Sequence, residues 1–557
     1  MPFAFPRCIL LLSFRHLTTL PKLLQGTPPN VPAKSRQRIL SKAQEALTDY
    51  LHTTRSLPFV YAEQIARNST HSLSGIISRI DSTPSTFSGK FSKFLRYDPI
   101  NELEFFYESI GIDPADLKSF LPSNKFFISE EGDVFEAACA LFKFGFPWKR
   151  LGKLYKDEVR VFRMNPGELS ARLLHLKSCG FDAATVIGIC CVFPQVLCGG
   201  CASGDVDLLL DDLKRVILSF DLASFPERNH ETWTEVCRKI KLFYDMGCKK
   251  GKVGKPMSKC TSIFMDYPEE VLARKMEYFT RLGVGRRNVG MLILDYPETL
   301  GFDSSTSDFS VVGFLRHFGM SDRELKSITQ MYPYVVGRNK IANLPHVMRA
   351  LDLHSWLFDQ LKRGRYNILC SYAMNDPEED IDELYKDGLE KIRFARLPVH
   401  TMTKLNFIHG IGFGENNLTM KLLPSLHGTG ASLQDRFDCF VELGADFSML
   451  CRIISRTPKI LNQKPDVIID KVDFLFNEIG LSISSLYQFP AYMNFDLDNR
   501  IKPRYRFHVW LAEKGVSTKV FSLANIVASS EKTFVARSSR IHPAAPKHYL
   551  ECFFPFR

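Results

Sequence analysis

The chain has 557 residues, of which 45% are hydrophobic and 24% charged, enough for two or three domains or one long repeat array and atypical of a disordered chain. Fourteen cysteines are too few for a disulfide scaffold, and the most apolar run, 186–202, is interrupted by proline, glutamine and glycine, which argues against membrane insertion. The formal charge of +11 falls to +4 without residues 1–44, because 65 bases then face 61 acids. Any anion-binding surface therefore depends on how the charges are arranged.

The first 44 residues have the pattern of an organellar import signal. They hold seven bases and no acid, and a leading helix would place Ile9, Leu12 and Phe14 near one side. The apolar stretch 8–12 also fits a secretory signal, but it is short, it is followed by Arg15, and no A-x-A cleavage site follows. We expect a transit peptide over 1–44 that directs the protein to the mitochondrial matrix, with the chloroplast as the alternative. A loosely ordered, Ser/Thr-rich lead-in would follow over 45–100.

Glycines that end apolar helical stretches recur with a period near 35 residues, which is the sequence signature of a solenoid. Large apolar residues stand four positions before each glycine, and an apolar residue follows it. This spacing predicts a helix with one buried face, closed by a glycine in the left-handed conformation. The ten glycines are Gly111, Gly145, Gly180, Gly247, Gly283, Gly319, Gly412, Gly444, Gly480 and Gly515.

A second helix is predicted after each glycine, and in six units a proline ends it. Proline lacks an amide hydrogen and disfavours helix in the preceding residue, so the helix stops there. An apolar residue three positions beyond each proline would anchor a turn into the next unit. The prolines are Pro194, Pro268, Pro297, Pro333, Pro458 and Pro490.

These repeats resemble the mitochondrial transcription termination factor (mTERF) family. The segments MEYFTRLGVGRRNVGMLILDYPETL (276–300) and FVELGADFSMLCRIISRTPKIL (440–461) carry its repeat pattern, and RIKPRYRFHVWLAEKGV (500–516) resembles its closing segment. The resemblance covers about 101–525, with weak repeats near 205–235 and 340–400, and leaves 526–557 as a C-terminal tail. It implies an all-α, α-solenoid fold, a curved superhelix of helix-turn-helix repeats. It also implies binding of double-stranded DNA or organellar RNA in transcription termination, transcript processing or splicing, without enzymatic activity.

Basic residues recur eight or nine positions before the glycine in seven of the ten units, against about 2.5 expected from composition. In a stacked array these positions would align into a positive stripe able to follow a phosphate backbone. A solvated helix face is the other interpretation. The first two units carry Glu102 and Glu136 there, so we expect the nucleic-acid path to omit them. With the basic closing segment, the predicted binding residues are Arg172, Lys239, Lys275, Lys404, Arg436, Lys471, Arg500, Lys502, Arg504 and Arg506.

Two further basic features leave alternatives open. Tyr505 and Phe507 interleave with the arginines of the closing segment, where they could stack on bases or belong to the core. The stretch 247–268 is seven residues longer than its counterparts and carries five lysines, so it could grip phosphate or be a tolerated insertion.

Signals for catalysis or metal binding are weak. Cys190, Cys191, Cys198 and Cys201 could form a zinc or redox site, but buried free thiols are the commoner case. We therefore expect no catalytic residue, no metal and no cofactor. The sequence leaves two functions: a monomeric organellar nucleic-acid binder that meets other gene-expression proteins, and a protein-docking solenoid without nucleic acid.

Overall fold

The computed structural model describes residues 33–80, 86–198, 203–220, 229–301, 303, 307–374, 381–517 and 521–553. The chain divides into two compact units, one ending at Glu269 and the other beginning at Glu270. Most of the predicted transit peptide, residues 1–32, lies outside the described residues. Nearly all regular structure within each unit is helical, which confirms the expected all-α repeat class.

The helices of the first unit are short, and most are joined by turns of a few residues. They are α1 (Ala33–Asp49), α2 (Phe59–Asn68), α3 (Thr70–Ile77), α4 (Phe87–Tyr97), α5 (Glu102–Ser109), α6 (Leu117–Phe120), α7 (Gly132–Phe144), α8 (Leu151–Asp157), α9 (Pro166–Ser178), α10 (Ala183–Val192), α11 (Ser203–Ile217), α12 (His230–Asp245), α13 (Gly254–Lys259) and α14 (Thr261–Asp266).

The second unit continues the pattern and adds three very short strands. Its helices, beginning with the one that starts at the division, are α15 (Glu269–Arg281), α16 (Arg286–Asp295), α17 (Val311–His317), α18 (Asp322–Met331), α19 (Leu344–Ala350), α20 (His354–Lys362), α21 (Ile368–Ser371), α22 (Glu383–Arg393), α23 (Pro398–Gly410), α24 (Asn417–Leu422), α25 (Gly430–Glu442), α26 (Phe447–Arg456), α27 (Pro465–Asn477), α28 (Lys502–Glu513), α29 (Leu523–Val527), α30 (Glu531–Ile541) and α31 (Ala545–His548).

The ten repeat glycines have the predicted backbone conformation. Each has a positive φ, between 65° and 119°, which a side chain would strain. In eight units the amide after the glycine donates to the carbonyl five residues earlier, as from Phe146 to Leu141 (3.2 Å). The unit at Gly480 differs: α27 ends at Asn477 and Leu481 donates to Leu475, so Leu475 is buried and Phe476 is 67% exposed. The expectation of a buried residue at Phe476 is therefore wrong by one position.

The prolines end the second helices as expected. The helices α10, α16 and α26 stop two residues before Pro194, Pro297 and Pro458, and a 3₁₀ turn begins at each of these prolines. The apolar residues three positions later are buried, with Leu300 at 1% and Leu461 at 0% exposure. Neighbouring first helices then pack side by side, as α7 does on α9 and α23 and α27 do on α25. This stacking buries faces that one helix pair alone would leave open.

The described parts of the segment before the repeats, 45–80 and 86–100, form packed helices, unlike the loose lead-in expected over 45–100. The buried carboxylate of Glu102 accepts from the Tyr50 hydroxyl (2.9 Å) and pairs with Arg55. The Glu108 carboxylate accepts from the amides of His71 (2.7 Å) and Ser72 (2.8 Å). The helices α2 and α3 therefore pack on α5 of the first repeat, and α1 packs on α2 and α3. The expected leader boundary at 44 falls inside α1.

The region 340–400, where the repeat register is lost, contains part of a small antiparallel sheet. Its strands β1 (Asp308–Ser310), β2 (Arg338–Lys340) and β3 (Ala373–Met374) have the order β2-β1-β3, with Asp308 opposite Lys340 and Met374. The guanidinium of Arg338 is buried between the carboxylates of Asp308 (3.3 Å) and Glu415 (2.9 Å). These extended segments lie between the helices α16 and α22, a stretch that includes the part of the chain where the glycine register is lost.

Residues 526–553, the described part of the expected C-terminal tail 526–557, fold back onto α28 together with the start of α29. Phe507 and Leu511 of α28 share a buried cluster with Phe534 of α30 and with Tyr549. Within the described ranges no single helix is long and apolar enough to cross a bilayer; α9 and α10 together meet that test, with a bend of 116° between them.

Candidate nucleic-acid interface

Most of the basic residues predicted in the first helices lie near the middle of those helices and have an internal partner. Five of them donate to a backbone carbonyl 22 to 25 residues further along the chain, near the end of the same unit. We call this contact the carbonyl latch. The donor–acceptor pairs are Lys239 to Phe264 (2.8 Å), Lys275 to Leu300 (2.8 Å), Lys404 to Leu426 (2.9 Å), Arg436 to Leu461 (2.8 Å) and Lys471 to Met493 (2.8 Å).

The carbonyl latch has a clear physical cause. The last carbonyls of a helix have no intrahelical donor and form the negative end of the helix dipole. Leu300, Leu461 and Met493 lie in the 3₁₀ turns that follow the repeat prolines, where a cation can satisfy such an oxygen. The latch therefore ties the middle of the first helix of a unit to the end of that unit.

Three of the predicted binding residues are buried, so the expected continuous stripe needs correction. Lys239 and Lys471 are each 3% exposed, and Arg504 is 1% exposed. Burial lowers the pKa of the Lys471 ammonium. Because these three side chains are buried, they are not accessible to a phosphate group of a nucleic acid. Lys275, Lys404 and Arg436 are partly buried on the same type of acceptor.

Arg500 and Arg504 hold the C-terminal helices. Arg500 donates through Nε to the Val527 carbonyl (2.9 Å), and its guanidinium lies 4.5 Å from the centre of the Phe495 ring. Arg504 donates to the Ser529 carbonyl (2.6 Å) and pairs with Glu531. Burial and the neighbouring Arg504 lower the pKa of Arg500. Both guanidinium groups therefore bind backbone carbonyls of residues 523–553 and hold this segment against α28.

The remaining three predicted residues face solvent. Arg172 pairs with Glu168 (2.8 Å), Lys502 with Asp498 (2.6 Å) and Arg506 with Glu478 (2.5 Å), with side-chain exposures of 31%, 30% and 51% for the three bases. Surface ion pairs of this kind contribute only about 0–1 kcal/mol. A phosphate can replace the carboxylate at small cost, so these three stay candidates for binding.

Tyr505 and Phe507 of the closing segment, which could stack on bases or belong to the core, differ in their exposure. Phe507 is 1% exposed and belongs to the core, so it is not available to a base. Tyr505 is partly exposed, and its hydroxyl donates to the Glu478 carbonyl (3.3 Å). In the first two units an acid takes the position that carries a base in the other units. Glu102 of the first unit anchors the lead-in, whereas Glu136 of the second is exposed.

The five lysines of the long stretch 247–268 lie in an ordered turn and in α13. Lys249, Lys252, Lys255 and Lys259 are exposed, whereas Lys250 pairs with Asp205 at 3.3 Å. These lysines lie outside the repeat register, so the register does not predict them as binding residues.

The cysteine cluster shows no metal geometry in the part of the chain that the structure describes. Cys190 and Cys198 are buried, and burial raises the pKa of Cys190 and Cys191. Cys201 lies outside the described residues. No group of three or more potential metal ligands occurs among the described residues.

The carbonyl latch was missed at the sequence level although both of its halves were visible. The bases at Lys275, Arg436 and Lys471 precede the apolar residue three positions after a proline by 22 to 25 residues. A recurring spacing of 22 to 25 residues between a base and a helix-ending motif is the signal that could have revealed the contact.

Comparison with known proteins places the chain among its relatives. The mTERF family model matches residues 214–344 and 401–535. The chain is 49% identical to the Arabidopsis thaliana protein "Transcription termination factor MTEF18, mitochondrial" over 524 residues, 94% of each chain. It is 21% identical to "Transcription termination factor MTERF15, mitochondrial" and to "Transcription termination factor MTERF8, chloroplastic" of the same plant, over 53% and 35% of each chain. The repeats, their helical structure and this relationship together show that the chain belongs to the mTERF family.

Proposed function

We propose that this protein binds nucleic acid in mitochondria and regulates gene expression there, through transcription termination or through transcript processing and splicing. The observation that carries the proposal is the 49% identity over 94% of the chain to a relative named as a mitochondrial transcription termination factor. The ligand would be double-stranded DNA or organellar RNA, bound by a monomer in the matrix. The chloroplast remains the alternative compartment, since another relative is named chloroplastic.

The distribution of the cations supports a contact made mainly with phosphates. Arg172, Lys502 and Arg506 lie on the surface in weak ion pairs that a phosphate oxygen can replace. Each such exchange releases counterions from the nucleic acid, so binding should weaken steeply as salt is added.

The test is a titration of the full chain against a labelled DNA duplex and a labelled single-stranded RNA at several KCl concentrations between about 50 and 200 mM. We expect a linear log–log dependence whose slope is less steep in the triple variant R172Q/K502Q/R506Q. The control is K93Q/K118Q/K143Q, which removes the same charge from exposed lysines and should change the slope much less. If the wild-type chain binds neither ligand at the lowest salt concentration, the proposal is wrong.

A protein-docking function has one specific observation in its favour. Phe394, Leu397 and Val399 are 88%, 63% and 76% exposed, and the last two line a shallow cavity of about 530 Å³ beside Thr403 and Ala431. They lie between the two segments that match the family model. Exposed apolar side chains grouped in this way are typical of protein contacts.

Crosslinking in organelles would test this second function. We expect the variant F394S/L397S/V399S to lose crosslinks to partner proteins from residues 391–403 while it keeps the wild-type salt dependence with nucleic acid. Unchanged crosslinks from this segment would exclude a docking role for these side chains.

A further inference from the structure

The long stretch between α12 and Pro268 forms a defined structure that other units lack. Four units place the closing proline 14 residues after the repeat glycine, whereas Gly247 and Pro268 are 21 apart. The additional residues form a turn, in which Gly251 has a φ of 78°, and the short helix α13. We call residues Lys249–Lys259 the lysine loop.

A buried carboxylate on a neighbouring helix holds the lysine loop in shape. Asp212 of α11 is 2% exposed, and its two oxygens accept from the amides of Gly251 (2.7 Å) and Gly254 (2.8 Å). The Tyr244 hydroxyl also donates to this carboxylate (3.0 Å). A side chain at position 254 would place Cβ 2.5 Å from an Asp212 oxygen. The fold therefore fixes the backbone of the loop through one buried acid and two glycines.

Four of the five lysines of the lysine loop have no ion pair with a carboxylate in the described part of the chain, although Asp205 pairs with the fifth and Asp212 lies against the loop backbone. Between Lys249 and Lys259 there are five lysines and no acid. Lys250 pairs with Asp205, whereas Lys249, Lys252, Lys255 and Lys259 are exposed and have no ion pair with any described residue. The ammonium groups of these lysines repel one another because the backbone holds them close together. An anionic ligand would reduce this repulsion.

The buried side chains of the loop indicate which kind of anion it suits. Its two larger apolar side chains, Val253 and Met257, are both 0% exposed, so the outer surface offers ammonium groups without an apolar centre. A stable protein interface has an apolar core within its polar rim, whereas the exposed surface of this loop consists mainly of lysine side chains, with Leu208 of α11, 44% exposed, against Gly251 at its edge. Lysine is a point charge that contacts phosphate without reading base edges. The surface therefore fits a nucleic-acid backbone better than an acidic protein.

We propose that the lysine loop is a sequence-independent phosphate contact of this protein and that the buried Asp212 maintains its shape. This inference rests on the proposed function, because it specifies where one unit meets the nucleic acid. It adds a contact outside the repeat register, formed by an insertion in one unit.

The first test neutralises the loop in the full chain. We expect K249Q/K252Q/K255Q/K259Q to bind a labelled duplex with a log–log salt slope smaller in magnitude by roughly 2 to 3.5, at about 0.9 for each phosphate that is no longer neutralised. The matched control K93Q/K118Q/K143Q/K532Q removes the same charge from exposed lysines elsewhere and should change the slope much less.

The second test separates shape from charge. D212N makes the protein more positive, so long-range attraction alone would strengthen binding. We expect weaker binding and faster amide hydrogen exchange at residues 249–255, because Asn offers a single, uncharged acceptor to the two amides.

The outcomes distinguish this inference from the proposed function. A wild-type chain that binds the duplex, with a neutralised loop that keeps the same slope, overturns the loop proposal and leaves the function standing; the lysines would then suit an acidic protein. An equal effect of the control set also overturns it. If the wild-type chain binds neither the duplex nor RNA, both proposals fail.

Discussion

A basic residue within a first helix can contact either an anion in solution or a carbonyl of its own chain. The ammonium of Lys239 meets the Phe264 carbonyl and also lies 2.9 Å from Glu235, with 3% of the residue exposed. Arg172, at the equivalent position of another unit, stays on the surface beside Glu168. The residue at this repeat position is therefore buried and structural in the unit of Lys239, and it is accessible at the surface in the unit of Arg172.

Removing the latch ammonium should destabilise its unit. We expect K239M to lower the free energy of local opening by about 1–3 kcal/mol, because methionine leaves the Phe264 carbonyl buried without its donor. Amide hydrogen exchange of α14 would measure the change. R172M is the matched control, with an expected change within about 0.5 kcal/mol. Equal exchange rates in the two variants would contradict a stabilising role for the latch.

A buried histidine should make the second unit sensitive to acid. His346 stacks on the Phe447 ring, with 5.0 Å between ring centres, and burial with the nearby charges of Arg349 and Arg281 lowers its pKa to about 4 from 6.5. The unfolded chain then binds this proton more readily than the folded one. Stability should fall as the pH drops below about 6.5 and level off near pH 4.

The comparison of wild type with H346F isolates this residue. Phenylalanine keeps a ring against Phe447 but has no titrating group. We expect the wild type to lose about 2 kcal/mol more stability than H346F between pH 7 and pH 5, at 1.36 kcal/mol per pKa unit. Urea unfolding followed by Trp356 and Trp510 fluorescence would measure it. Parallel pH profiles for the two proteins would show that His346 does not cause the acid loss.

At the scale of helices, close approach between backbones decides which substitutions are tolerated. Gly188 lies in the middle of α10, where helix propensity alone favours alanine. A Cβ there would lie 2.7 Å from Cβ and 2.8 Å from the carbonyl carbon of Trp233 in α12. The glycine therefore allows two helices to pack closely.

Substitution of this glycine should reverse the usual helix preference. We expect G188A to destabilise the first unit by about 1–3 kcal/mol, because α10 and α12 must separate. G89A is the control: Gly89 is exposed in α4 with no atom within 4 Å of the added Cβ, and alanine there should stabilise by up to about 1 kcal/mol. Unfolding monitored by Trp148 and Trp233 fluorescence would compare them, and a stabilising G188A would exclude the close-packing explanation.

At the scale of the whole molecule, the described residues form two units, and the second is closed at its C-terminal end by α29 to α31. This closure covers the last repeat helix, whose apolar face would otherwise lie open. Terminal repeats in arrays commonly need such a cap. Arg500 and Arg504 connect the cap to the helix that it covers.

Deletion of residues 518–557 should expose the end of the array. Phe507 and Leu511 would become accessible to water, at about 1.5–3 kcal/mol for each side chain, so we expect a destabilisation of roughly 3–6 kcal/mol and aggregation. Thermal unfolding and light scattering would measure both effects. L550S, which alters a side chain already 52% exposed, is the control and should behave as wild type. A truncated chain as stable as L550S would contradict the capping role.

The repeat architecture could be predicted from local sequence patterns. Glycine and proline act on their own backbone and on immediate neighbours, so Gly444 with its positive φ and Pro458 after α26 carry their structural meaning locally. The surroundings of the basic residues, in contrast, follow from contacts between distant parts of the chain. Whether Lys471 meets solvent or the Met493 carbonyl depends on where the chain returns 22 residues later. The fixed shape of the lysine loop likewise depends on Asp212, which lies 39 residues before Gly251 and only 2.7 Å from it in the fold.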